Sequence, residues 1–265
     1  MTEPASAPSP AWRVVLAIVA IVAGIILSSL VGAAVITAYD WDLEVSAAVG
    51  AEIGRTAGQA AAGLELDDRR MPLGAAVMLN VPLWACFVGV PLLARGRGLS
   101  WRRDLAWGMQ LRDIPIGLGL GLIAQFVLIP LLYVPIFQIF GPQDVAGAAR
   151  DLVATVESSF DVAALLALTL IGAPLAEEVL FRGVLHRGLA DLHADWGRSG
   201  KVVATVASAA IFGAVHFQVV QFPGLMAFGV VSALAMMSTG RLGTAIFAHF
   251  GFNLGTVAFL LQARF

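Results

Sequence analysis

From Val14 to Ala38 the chain runs 25 residues without a charged side chain, and further apolar runs follow at about 72–94, 114–140, 162–181, 202–217, 222–238 and 242–262. A helix needs about 20 apolar residues to cross a hydrocarbon core about 30 Å thick. No water is present there to satisfy backbone N–H and C=O groups, so only helices and closed barrels span it. Runs of this length are too long for barrel strands. The expected fold is all-α, a polytopic membrane bundle of about seven spans. Composition agrees, since 13% of the 265 residues are charged and 59% are hydrophobic, against about 25% charged in soluble domains. A net charge of −2 argues against nucleic acid as a partner. The single cysteine, Cys86, lies in an apolar run, where a packed, inert thiol is expected rather than a nucleophile.

Residues 1–13 are rich in Pro, Ser and Ala and are expected to be disordered. The run after Arg13 exceeds the 7–15 residues or so of a signal-peptide core, so a retained anchor is expected, although Ile36-Thr37-Ala38 resembles a cleavage site. Residues 202–240 contain no Asp, Glu, Lys or Arg. Gln218, Gln221 and Pro223 divide this run into two spans. The 40–71 connection is acidic and reads as an exterior loop with a short helix. Basic residues concentrate at 95–113 (Arg95, Arg97, Arg102, Arg103, Arg112) and 182–201 (Arg182, Arg187, Arg198, Lys201). The excess of basic residues in cytoplasmic loops then predicts a multi-pass plasma-membrane protein with the N-terminus inside and the C-terminus outside. Gly117-x-x-x-Gly121 and Gly251-x-x-x-Gly255 are expected to permit close helix packing.

Ionisable groups inside spans cost about 2.5–3.5 kcal/mol each on insertion scales, so their default reading is a functional site. The fourth run carries Glu177 and Glu178, with Arg182 four residues after the second. Glu178 and Arg182 share a helical face as an ion pair, while Glu177 turns about 100° away, free to act as a general base. A structural Glu–Arg clamp is the alternative. Gly172 and Pro174 just precede the pair; a kink there would open space beside it. Phe212 lies four residues before His216, and His249 four before Asn253. Phe212 would shield or position the first imidazole. His249 and Asn253 both donate hydrogen bonds, which suits a developing oxyanion and equally suits interhelical bonding. His186 and His193, in the basic stretch, read as solvated histidines.

The order Glu-Glu-x-x-x-Arg, Phe-x-x-x-His and His-x-x-x-Asn on three separate spans closely resembles the CAAX-protease and bacteriocin-processing (Abi) family of intramembrane endopeptidases. The resemblance covers about 114–262. It implies a protease domain at 114–265, with residues 14–113 adding two spans and their loops. It also implies a glutamate-dependent peptidase without a cofactor, in which Glu177 and His216 activate water and His249 and Asn253 form the oxyanion hole. Glu178, Arg182 and Phe212 would support that site. The implied substrate is a membrane-associated or lipidated protein or peptide, and membrane lipid is the surrounding partner.

Three rival readings stay open. Glu177, His216 and His249 could hold a catalytic zinc. The same polar network could belong to a non-proteolytic bacteriocin-immunity protein or membrane scaffold. A proton relay through Glu177 and His216 would suit a transporter, although no repeat is apparent. One geometric tension also arises. His216 lies about 20 Å along a helix starting at Val202, whereas Glu177 and His249 fall near the cytoplasmic ends of their predicted spans.

Overall fold

The computed structural model describes residues 9–38 and 73–264. The 40–71 connection and most of the N-terminal stretch expected to be disordered lie outside the described residues. Within them, all regular structure is helical. The long helices are α1 (Pro10–Ala38), α2 (Leu73–Leu93), α3 (Asp113–Phe140), α4 (Ser159–Leu192), α5 (Arg198–Ala214), α6 (Phe222–Thr239) and α7 (Leu242–Arg264). All but α5 are long and apolar enough to cross a membrane, giving six candidate spans among the described residues rather than seven. α5 falls short because its first turn is Arg198-Ser199-Gly200-Lys201 and the chain turns away after Ala214.

Two boundaries differ from expectation for physical reasons. α1 begins at Pro10 rather than Val14. Ser9 caps it, its Oγ accepting from the Trp12 N–H at 3.3 Å, and proline is well suited to the first helical position. Residues 10–13 are therefore helical, and Arg13 is buried. α4 continues past Phe181 to Leu192, because Arg182 is accommodated inside the bundle rather than ending the span. Glu177 then lies 15 residues before the end of α4, and His216 lies 18 residues after the start of α5. Both therefore lie far from their shared turn, and His216 Nε2 comes within 3.9 Å of Glu177 Oε2, which removes the tension over the depth of His216.

Polar contacts gather the connections at one end of the bundle. Arg13 donates to Asp191 at 2.5 Å. Arg187 donates to the carbonyls of Asp104 and Arg103, both at 2.9 Å. Arg241, between α6 and α7, grips the fully buried Asp113 at the start of α3 through Nε (2.9 Å) and Nη2 (2.5 Å). Thr244 adds a third donor to Asp113 at 2.9 Å. The opposite end is closed by an apolar cluster of Leu73, Val153, Val156, Leu165 and Val257.

α3 and α7 touch backbone to backbone through the expected glycine pairs. A Cβ on Gly121 would lie 2.0 Å from the Ala248 carbonyl oxygen, and one on Gly251 would lie 2.7 Å from that of Leu118. Neither neighbour is a flexible side chain. Gly121→Ala should therefore lower stability by about 1–3 kcal/mol, the usual cost of overpacking. Gly119→Ala, which meets nothing within 4 Å, should be neutral or mildly stabilising; thermal unfolding in detergent compares the two.

Candidate active site

The glutamate pair ends a six-residue α-helical segment, Ala173–Glu178, between two π-helical stretches, Ala167–Gly172 and Val179–His186. Such π turns often accompany functional sites. In the first stretch the Ala173 N–H bonds the Leu168 carbonyl. The next carbonyl, of Thr169, would need a donor at residue 174, which is proline and has none. Asn253 supplies it, its Nδ2 donating to the Thr169 oxygen at 2.8 Å. Pro174 is thus absorbed by a π turn and a side chain from α7. Gly172, expected to open space, instead admits Trp84: a Cβ there would lie 2.3 Å from the indole.

Glu178 is fully buried and uses both oxygens. Its Oε2 accepts from Ser232 Oγ at 2.7 Å and pairs with Arg182 Nε at 3.2 Å, while Oε1 accepts from His249 Nδ1 at 2.8 Å. Arg182 also donates to the Gly229 carbonyl at 3.3 Å and lies 4.4 Å over the Phe212 ring. Phe212 packs edge-on to both site imidazoles, with ring centroids 4.8 Å from His216 and 5.9 Å from His249. It is the shared wall of the pocket.

Glu177 faces the other way. Its Oε2 is 3.9 Å from His216 Nε2 and 3.9 Å from His249 Nε2, and has no hydrogen-bond partner in the protein. The tautomers follow from the remaining ring nitrogens. His216 Nδ1 is 2.7 Å from the Phe212 carbonyl, and His249 Nδ1 is 2.8 Å from the Glu178 carboxylate. Both of those oxygens only accept, so each Nδ1 carries its proton and each Nε2 turns toward Glu177. Two imidazoles and a carboxylate therefore converge, each Nε2 3.9 Å from the same oxygen. Among the described residues no group of three His, Cys, Asp or Glu is arranged to hold a metal ion.

Glu177, Glu178, Arg182, Phe212, His216 and His249 meet in one cluster. Asn253 lies one turn further along α7 and turns to Thr169. His186 corrects the sequence reading: it is buried, with Nε2 3.2 Å from Thr205 Oγ1, because α4 runs on between α1 and α5. His193 is only partly exposed; its Nδ1 donates to the Leu189 carbonyl at 2.9 Å. Ser232 escaped the sequence reading, and its one visible signal was a hydroxyl in the long uncharged run. Ser232→Ala should cost about 1.5–3 kcal/mol, the usual worth of a hydrogen bond to a charged group, measured by thermal unfolding.

Residues 159–255 match the family model described as type II CAAX prenyl endopeptidase Rce1-like. The chain matches no curated protein and no solved structure. The matched stretch holds all seven motif residues and runs from the start of α4 into α7, the helices whose side chains meet around Glu177. The stretch from Ser159 to Gly255 is therefore similar to an Rce1-like type II CAAX prenyl endopeptidase domain, consistent with the CAAX-protease and bacteriocin-processing family.

Proposed function

We propose that the protein is a glutamate-dependent intramembrane endopeptidase that hydrolyses a peptide bond of a membrane-associated or lipidated protein. The observation that carries this reading is the convergence of Glu177 Oε2, His216 Nε2 and His249 Nε2, each imidazole 3.9 Å from the same oxygen. A water admitted beside Glu177 and His216 would lie within hydrogen-bond reach of both. Glu177 takes a proton from that water as its oxygen attacks the scissile carbonyl. The oxyanion is met by Nε2–H of His249 and by the second N–H of Asn253. Donation from Nε2 while Nδ1–H bonds Glu178 requires the imidazolium form, and Glu178 is its buried counter-ion. On collapse the peptide C–N bond breaks and Glu177 returns the proton to the leaving nitrogen, leaving an acid and an amine. No serine or cysteine nucleophile is needed.

The same reading assigns the end bearing Arg95–Arg112, Arg187 and Arg198 to the cytoplasm. Ser232 and His249 each lie seven residues from the α6–α7 turn, so the site is about 10 Å in from that turn. A substrate would therefore meet it from lipid or from the cytoplasmic boundary.

The test is purified protein in detergent, incubated with a library of membrane-segment and lipidated C-terminal peptides, with new ends identified by mass spectrometry. Cleavage that persists fully after chelation and metal analysis is expected. A zinc-dependent version would use Glu177, His216 and His249 as ligands, and loss of cleavage on chelation with recovery on zinc addition would replace the metal-free mechanism with that one. No cleavage of any peptide would favour the scaffold reading.

A further inference from the structure

A second concave site lies away from the glutamates, where α2 leaves the bundle. A cavity of about 730 Å³ is lined by Leu92, Arg95, Ser100, Trp101, Arg102 and Trp107, among others. Arg95 sits in the last turn of the candidate span Ala76–Arg97, so the cavity opens at headgroup depth. The arginines divide sharply here. Arg13, Arg103, Arg187 and Arg241 each bond a carboxylate or a carbonyl. Arg95 and Arg102, by contrast, are exposed, and their guanidiniums have no hydrogen bond or ion pair among the described residues. The nearby carboxylate, Asp104, is already engaged by Arg103 at 2.8 Å and by the Ser100 N–H at 2.7 Å. Trp101 and Trp107 stand edge to face, with ring centroids 5.3 Å apart, and amphipathic indoles favour the membrane–water boundary. One turn toward the membrane, Leu92 and Leu93 are 44% and 79% exposed.

Two unpaired guanidiniums, a tryptophan pair and an apolar flank leading into the membrane match one occupant class. We propose that this pocket binds an anionic glycerophospholipid. Its phosphate sits between Arg95 and Arg102, and an acyl chain runs down the Leu92–Leu93 face of α2. Guanidinium is suited to a phosphate group because it offers a planar fork of donors. The lipid would also brace the segment that holds the start of α7, where the N–H groups of Leu242 and Gly243 donate to the carbonyls of Ala106 and Gly108 at 2.9 and 3.0 Å.

Native mass spectrometry of the full-length protein in detergent, supplied with equal phosphatidylglycerol and phosphatidylcholine, tests this. The wild type should retain one phosphatidylglycerol per chain, preferred by about tenfold, in line with the pull of two basic side chains near a lipid surface. Arg95→Gln/Arg102→Gln should lose that preference, and Arg97→Gln/Arg112→Gln, which removes the same charge outside the pocket, should keep it. Inorganic phosphate should not displace the lipid. Equal retention of both lipids by the wild type, or equal loss in the two double variants, would overturn the proposal. Displacement by inorganic phosphate would make this a free-phosphate site and overturn it too. The wild-type lipid ratio and the phosphate competition decide the matter even if a variant fails to fold.

Discussion

Glu177→Gln should yield a folded protein that no longer cuts peptide, with kcat reduced on the order of 10²–10⁴-fold, the range a positioned general base supplies. Glutamine keeps the shape of the side chain and removes only its basicity. The lost charge should not unfold the site, because Glu177 Oε2 has no hydrogen-bond partner in the protein, while Ser232, Arg182 and His249 all engage Glu178. Thermal unfolding of the variant should match the wild type, and KM should change little, since the carboxylate acts on water rather than on bound substrate. Unchanged cleavage by Glu177→Gln would reject Glu177 as the base.

Arg182→Met should have the largest effect on stability, about 3–5 kcal/mol, the usual cost of removing one partner of a buried ion pair. Arg182 and Glu178 are 1% and 0% exposed, so the orphaned carboxylate cannot reach water. Arg182→Lys should not restore the wild type, because an ammonium cannot both reach the Gly229 carbonyl and lie flat over Phe212 as the guanidinium does. The double variant Glu178→Met/Arg182→Met should recover much of the lost stability, since apolar replacement of a buried pair is often neutral. It should nevertheless remain inactive, because His249 Nδ1 loses the acceptor that orients its ring. Unfolding and cleavage measured on the three variants separate the packing role of this pair from its part in the chemistry. An Arg182→Met protein as stable as the wild type would contradict the buried pair.

Much of this architecture was legible because the constraints are local. An uncharged run from Val14 to Ala38 is an embedded helix whatever surrounds it. Glu178 and Arg182 four residues apart are neighbours on any helix. What stayed hidden depends on contacts between helices. Charge segmentation ended the fourth span at Phe181, because an arginine normally marks a boundary; here Glu178, the Gly229 carbonyl and the face of Phe212 compensate Arg182 in the interior. The burial of His186 follows from the same extension. The partner of the Thr169 carbonyl freed by Pro174 was invisible, since Asn253 lies 84 residues away in sequence. Ser232 meets Glu178 only because α6 and α4 pack in one particular register, which apolar periodicity does not encode. The helical start at Pro10 went unread, because the Pro-, Ser- and Ala-rich composition of residues 1–13 outweighed the capping potential of Ser9.

The most direct measurement is an experimental structure of the protein bound to a peptide carrying a hydrated ketone in place of the scissile amide. One diol oxygen should lie between Glu177 Oε2 and His216 Nε2, and the other should face His249 and Asn253, each at about 2.7–3.1 Å. A ketone seated away from Glu177, or Glu177 and His216 held too far apart to share one oxygen, would contradict the proposed chemistry.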